Sequence, residues 1–231
     1  MPMRAWLEAA VLARPPRLLH SLLPGCEWTG PRHTPAGAPL IYLTFDDGPV
    51  PDETPWVLAQ LARFGARATF FCVGQNLARY PGIARAALAA GHRLGNHTHR
   101  HRSAWATGRA SYLTDVAECQ ALLGQVLLTE LAGADDSGTV RPLFRPPYGR
   151  LTWPVLRAVR ADYRVIMWSV LTRDYDPRLS PESCLRHTLA TVRPGDVLVF
   201  HDSPKARARL RFVLPRVLAH LAGQGYQFAT L

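Results

Sequence analysis

"IYLTFDDGP", residues 41–49, is an apolar run that ends on two adjacent carboxylates, Asp46 and Asp47, and is stopped by Gly48 and Pro49. Aromatic and branched side chains dominate the run, so it reads as a buried strand. Two neighbouring like charges at the mouth of such a strand are an electrostatic burden unless something offsets them. An Asx turn closed by Gly-Pro accounts for Asp47-Gly48 but not for the apolar approach. Successive residues at a strand end diverge, so the two carboxylates need not do the same job. One can hold a cation while the other acts as general base, and the cation relieves the repulsion.

Working outward, short apolar runs alternate with amphipathic stretches from residue 40 onward. Strands are predicted at 40–47, 68–74, 93–98, 143–149, 163–170, 196–202 and 228–231. Helices are predicted between them, in "TPWVLAQLARF", "NLARYPGIARAALAA", "SYLTDVAECQALLGQVLLTELAG", "LTWPVLRAVRA", "SPESCLRHTLATV" and "RARLRFVLPRVLAHLAG". "SPES" places proline directly after a serine cap, a strong helix start. The alternation indicates a parallel α/β sheet, and about seven strands suit a (β/α) barrel, with an open doubly wound sheet as the other solution. The stretch 132–140 reads as a loop. Residues 1–39 form a partly amphipathic N-terminal extension, and 40–231 form the main domain.

Composition narrows the class. The 231 residues are 48% apolar and 19% charged, as in a globular protein, with a formal net charge of +10. Lys205 is the only lysine, and the arginines are scattered from Arg4 to Arg216 without a dense run. That spread suggests a general residue preference, so nucleic acid is not expected as a partner; a polyanion groove is the lesser alternative. Cys26, Cys72, Cys119 and Cys184 form no C-x-x-C pair, against a zinc knuckle or a dithiol site. The apolar stretch near the N-terminus is broken by Glu8 and Arg14-Pro15-Pro16-Arg17, and no window reaches the ~18 apolar residues of a membrane span. A cytoplasmic protein is expected, or one in peripheral membrane contact through the extension.

Ligands gather at the C-terminal ends of the strands in parallel α/β folds, and here several strands become chemically loaded at that end. The first ends in Asp46-Asp47, the third in "NHTHRH", the fourth in "RPPYG" and the sixth in "FHDS", while "TRDYD" follows the fifth. His97 and His101 are four apart, a spacing that brings two imidazoles to one face of a helical turn. With Asp47 they make a two-histidine, one-carboxylate set that leaves positions open, as catalytic metal sites do. His99 suits neither neighbour and is read as a loop residue. Trp105 can stack on a ligand ring at the rim or anchor its loop.

"TFDDGP", "GHRLGNHTHRH", "RPPYG", "RDYD" and "LVFHD" occur in the order of the NodB-type polysaccharide deacetylases, carbohydrate esterase family four, and the chain resembles that family over residues 40–231. The resemblance implies a distorted barrel of about seven strands and metal-dependent removal of an acetyl group from an N-acetylated glycan. It implies Asp47, His97 and His101 as ligands of one divalent ion, zinc first, with cobalt, nickel or manganese as alternatives. It makes Asp46 the general base, oriented by Arg145, and gives the Tyr148 backbone N–H an oxyanion role. His201 becomes the general acid supported by Asp174, and Leu198 and Trp168 wall the acetyl pocket. The fourth motif departs from many relatives: Ser169, Leu171 and Tyr175 stand where they carry two acidic residues and a tryptophan. Two other functions fit the residues, an amidase or cyclic-imide hydrolase on the same scaffold and a catalytically silent glycan- or polyanion-binding barrel.

Overall fold

In the computed structural model, residues 14–130 and 141–231 are described. In chain order they form α1 (Arg17–Leu22), β1 (Cys26–Glu27), β2 (Leu40–Asp46), α2 (Glu53–Ala62), β3 (Ala68–Cys72), α3 (Gly74–Arg79), α4 (Pro81–Ala89), β4 (Arg93–Asn96) and α5 (Arg109–Glu130). There follow β5 (Leu143–Phe144), a 3-10 turn (Pro147–Gly149), α6 (Trp153–Asp162), β6 (Arg164–Ile166), β7 (Val170–Leu171), α7 (Pro181–Thr191), β8 (Val197–His201), α8 (Arg207–Gly223) and β9 (Gln227–Phe228).

The strands form one parallel sheet in the order β1-β6-β5-β4-β3-β2-β8-β7, with β9 added to β2. This is the expected distorted (β/α) barrel, and its distortion lies where a single strand was predicted over 163–170. Strand β7 ends the path at one side and β6 lies next to β1 at the other, and Met167, Trp168 and Ser169 carry the chain between them. The Met167 N–H donates to the Glu27 carbonyl at 2.7 Å and the Ser169 N–H to the Val197 carbonyl at 3.2 Å, so this bend touches both sides of the opening. Residues 26–39, placed by the sequence in the N-terminal extension, join the barrel: β1 covers the edge of β6, and Thr29 bridges to Asp196. The residues before 14 and the loop predicted at 132–140 lie outside the described residues. No helix among the described residues is long and apolar enough to cross a membrane.

Alternation along β2 and β8 sorts side chains into two layers. Ile41, Leu43 and Phe45 join Leu198 and Phe200 in the core between sheet and helices. Tyr42, Val197 and Val199 point the other way, into the barrel interior with Phe71, Met167 and Trp168. Leu198 therefore does not wall the acetyl pocket as expected. It is fully buried beneath the helices, and Val199, one residue on, occupies the inner face.

Local chemistry sets the helix limits. The Ser180 hydroxyl accepts the Ser183 N–H at 3.2 Å with Pro181 at the first helical position, as "SPES" predicted. The single helix predicted over "NLARYPGIARAALAA" is two, because Pro81 has no N–H to continue the first. All four cysteines are free thiols, and Cys72, Cys119 and Cys184 are buried. Because Leu198 serves the outer core, Leu198→Ala should lower unfolding free energy by about 2–5 kcal/mol, read as a lower denaturant midpoint at unchanged slope.

Candidate active site and metal centre

The C-terminal ends of the strands surround a cavity of about 490 Å³. Asp46, Asp47, His97, His101, Tyr148, Trp168 and His201 all line it, so segments up to 155 residues apart in sequence meet there. The cavity wall also includes Leu171, Tyr175 and Val199, with Arg150 and Lys205 among the remaining residues. Two predicted residues stand behind it: Arg145 under Asp46 and Asp174 under His201.

Arg145 is a fully buried cation. Its Nη1 donates to Asp46 Oδ1 and to Thr44 Oγ1, both at 2.7 Å. Nε and Nη2 donate to the carbonyls of Ile166 and Met167 at 3.3 and 2.8 Å, and the guanidinium lies 4.1 Å from the Phe71 ring centroid. These carbonyls lie at the end of β6 and the start of the bend to β7, beyond the last β5–β6 pair, where Arg145 supplies their donors. Asp46 Oδ1 is engaged by this pair, and Oδ2 lies 4.0 Å from His97 Nε2.

Asp47 leaves the strand at φ 84°, a left-handed conformation uncommon for a non-glycine residue. Its carbonyl accepts the Asn76 side-chain amide at 2.8 Å. Gly48 follows because a β-carbon there would lie 2.2 Å from Asp202 Oδ2. The Asp202 carboxyl accepts the Gly48 N–H at 3.1 Å and meets the Thr54 hydroxyl at 2.6 Å. Burial, opposed by that hydroxyl, pushes its pKa up to about 8. Asp202 was not singled out in the sequence, although it directly follows His201.

His97 and His101 do converge, but not by a helical turn. The segment after β4 is irregular, with Thr98 at φ 63° and His101 at φ 53°. Asn96 shapes it by accepting the Thr98 N–H at 2.9 Å and donating to the Val116 carbonyl at 2.9 Å. Asp115 on α5 accepts the Arg100 N–H at 2.8 Å and so holds the far side of the loop. The two imidazole centroids end 5.0 Å apart, while His99 turns away toward Glu118.

Asp47 Oδ1 lies 3.3 Å from His101 Nε2 and 3.9 Å from His97 Nε2, and one donor atom from each of the three residues falls within 4.8 Å of the others. His97 Nδ1 is 2.8 Å from the Arg145 carbonyl, which fixes it as the protonated nitrogen. Burial, and then the neighbouring His101, push its pKa down to about 3, so the ring is neutral and Nε2 offers a lone pair. A nitrogen from each imidazole and one carboxylate oxygen converge, with His97 oriented from behind, and that donor set fits a divalent cation.

At the end of β8, in register with Asp46 on β2, His201 is gripped twice by the fully buried Asp174, which accepts its backbone N–H at 2.8 Å and its Nδ1–H at 2.7 Å. Burial opposes the charged ring, but Asp174, aided by Asp47 and Asp46, outweighs it and raises the His201 pKa to about 9. The imidazole is thus protonated at neutrality with Nε2 left free. Tyr175 packs edge-on to it at 4.9 Å between centroids. Tyr148 sits at φ 60° in the turn after Pro146-Pro147, its ring 4.7 Å from that of His101. Gly149 lets this turn rest on Trp168, since a β-carbon would come within 2.4 Å of the indole. Trp105 is 66% exposed at the rim while its Nε1–H donates to the Leu151 carbonyl at 3.0 Å, so it anchors its loop and still presents a face.

The same arrangement of fold and residues places the chain among known proteins. The family model described as polysaccharide deacetylase matches residues 33–166. A peptidoglycan-N-acetylglucosamine deacetylase of Bacillus cereus is 32% identical over 202 residues, covering 85% of this chain and 88% of the relative. A chitooligosaccharide deacetylase of Azorhizobium caulinodans is 35% identical over 196 residues, covering 78% and 88%. The crystal structure of a peptidoglycan N-acetylglucosamine deacetylase, in complex with 4-naphthalen-1-yl-N-oxidanyl-benzamide, superposes with a TM-score of 0.76 at 26% identity, over 92% of this chain and 93% of the other. With the barrel, the rim motifs and these likenesses in agreement, the chain belongs to the polysaccharide deacetylase family, hydrolases of N-acetyl amide bonds.

Proposed function

We propose that the chain hydrolyses the acetamide of an N-acetylated sugar in an oligo- or polysaccharide, releasing acetate and a free amine. The observation that carries this is a carboxylate and an imidazole at the ends of adjacent strands, both lining one cavity and each held by a buried partner: Asp46 by Arg145, His201 by Asp174. Asp47, His97 and His101 hold one divalent cation, for which zinc suits the donor set and cobalt, nickel or manganese can substitute. When bound, that ion polarises the acetamide carbonyl and increases the acidity of water beside it.

Asp46 Oδ2, the oxygen not occupied by Arg145, takes the proton of the attacking water. The Tyr148 N–H, held by the proline-rigidified turn, donates to the oxygen that becomes negative as water adds to the carbonyl carbon. His201 Nε2–H then protonates the nitrogen as the carbon–nitrogen bond breaks, because an unprotonated amine is a poor leaving group. Asp174 keeps that proton in place until it is needed. Trp168, Leu171 and Val199 supply the apolar wall for the acetyl methyl.

Acetate release from N-acetylglucosamine oligomers, with metal and after chelation, tests this directly; no metal-dependent release from any acetamide would reject it. Calorimetric titration should show one divalent ion bound per chain, and His97→Ala should weaken that binding by about 100-fold or more. Asp46→Asn should bind metal normally and lose about 100-fold or more in kcat. The sign of the pH dependence follows from His201: its proton is present below about pH 9 and lost above it, so kcat should fall on the alkaline side. Asp174→Asn removes the main support of the protonated ring and should move that limb to lower pH; an unmoved limb would show that His201 is not the acid.

A further inference from the structure

The mouth of the cavity carries a charge pattern that the hydrolysis leaves unused. Arg150 and Lys205 both line it, from the segments after β5 and β8, strands separated in the sheet by β4, β3 and β2. Lys205 is the only lysine in the chain. Several arginines elsewhere are paired with carboxylates, Arg100 with Asp115 and Glu118, Arg164 with Glu27, Arg178 with Asp176, Arg207 and Arg211 with Glu53, whereas these two cations line the cavity itself. Arg150 and Lys205 form no ion pair among the described residues, and the nearest aspartates of the cavity are engaged by Arg145 and the two imidazoles.

Aromatic rings hold the two cations instead. The Arg150 guanidinium lies 5.0 Å from the Trp105 ring centroid and 5.5 Å from that of Tyr148, and Lys205 Nζ lies 5.8 Å from that of Tyr175. A cation over a ring is positioned without being cancelled, so both charges stay available to a third group. The rings are themselves tied down, Trp105 through Leu151 and Tyr175 against His201. With Arg145 offsetting Asp46 on the floor, the entrance is a positive rim around a small apolar and polar well.

Given the deacetylase activity proposed above, we infer that the cavity selects glycans that carry an anionic substituent, a carboxylate or a phosphate, beside the acetamide to be cleaved. The acetamide occupies the floor, so Arg150 and Lys205 meet whatever the same or the flanking sugar presents at the mouth. A planar guanidinium pairs in two-point fashion with either oxyanion, and the lysine adds a mobile point charge. A neutral oligomer leaves both cations to water and gains nothing from them. Complementary charge also accelerates encounter, with a rate that falls as salt rises.

The test compares kcat/KM on three probes of equal length: an N-acetylglucosamine oligomer, an alternating oligomer of N-acetylglucosamine and its 3-O-lactyl ether with free carboxylates, and an N-acetylglucosamine oligomer bearing a 6-phosphate. One or both acidic probes should be preferred, and which one identifies the anion. Arg150→Gln and Lys205→Gln should each lower the acidic-to-neutral ratio by about five- to thirtyfold. Arg150→Lys and Lys205→Arg should retain most of it. Arg186→Gln, an equal loss of charge on α7, should leave the ratio unchanged. The preference should shrink with added salt. Hydrolysis of the neutral oligomer with no preference for either acidic probe, or a preference that survives both glutamine variants, overturns the inference and leaves the deacetylase reading standing. No release from any of the three removes both.

Discussion

The structure depends on a buried ion pair, Arg145 with Asp46, set in the barrel interior between β2 and the bend that joins β6 to β7. An isolated charge in that position would be untenable, since desolvation costs several kcal/mol per ion. Arg145 resolves the problem by directing its N–H groups to four acceptors: a carboxylate, a hydroxyl and two carbonyls. One residue thereby orders Asp46, closes the distorted part of the barrel and, through its backbone carbonyl, selects the protonated nitrogen of His97. Removal of either partner would strand a charge in the interior, which costs about 3–5 kcal/mol.

Strain gathers around the same centre. Asp47, Thr98, His101 and Tyr148 are non-glycine residues in left-handed conformations, and each costs of order 1 kcal/mol or more. They persist because their neighbours over-determine them: Asn76 holds the Asp47 carbonyl, Asn96 holds Thr98, and Gly149 seats the Tyr148 turn on Trp168. The function is thus carried by irregular backbone on a regular parallel sheet. The sheet supplies position, and the loops supply direction.

The neighbouring ends of β2 and β8 show one design in two versions. A carboxylate is backed by a buried guanidinium, and an imidazole is backed by a buried carboxylate that keeps the ring protonated. Charge at the mouth follows a different rule, being held on rings rather than neutralised by carboxylates.

Much of this was legible in the residues alone. Apolar runs ending in Asp46-Asp47, His97, Arg145 and His201 expose both the strand period and the rim, because burial dictates side-chain type over several consecutive positions. The cap at Ser180 was equally plain, since it involves only near neighbours in sequence. Other features were settled only by tertiary contact. A one-residue difference decides whether Leu198 or Val199 faces the cavity, and both are aliphatic, so only the register of β8 against β2 tells them apart. Likewise the spacing of His97 and His101 suggested a helical turn, whereas Asn96 at the end of β4, Asp115 on α5 and the carbonyl of Arg145 after β5 bring the rings together. Asp202 escaped notice for the same reason, as its task is set by Gly48 and Thr54, about 150 residues away. Local periodicity is written in the chain, but the partner that orients a polar side chain is known only once the sheet has brought the two together.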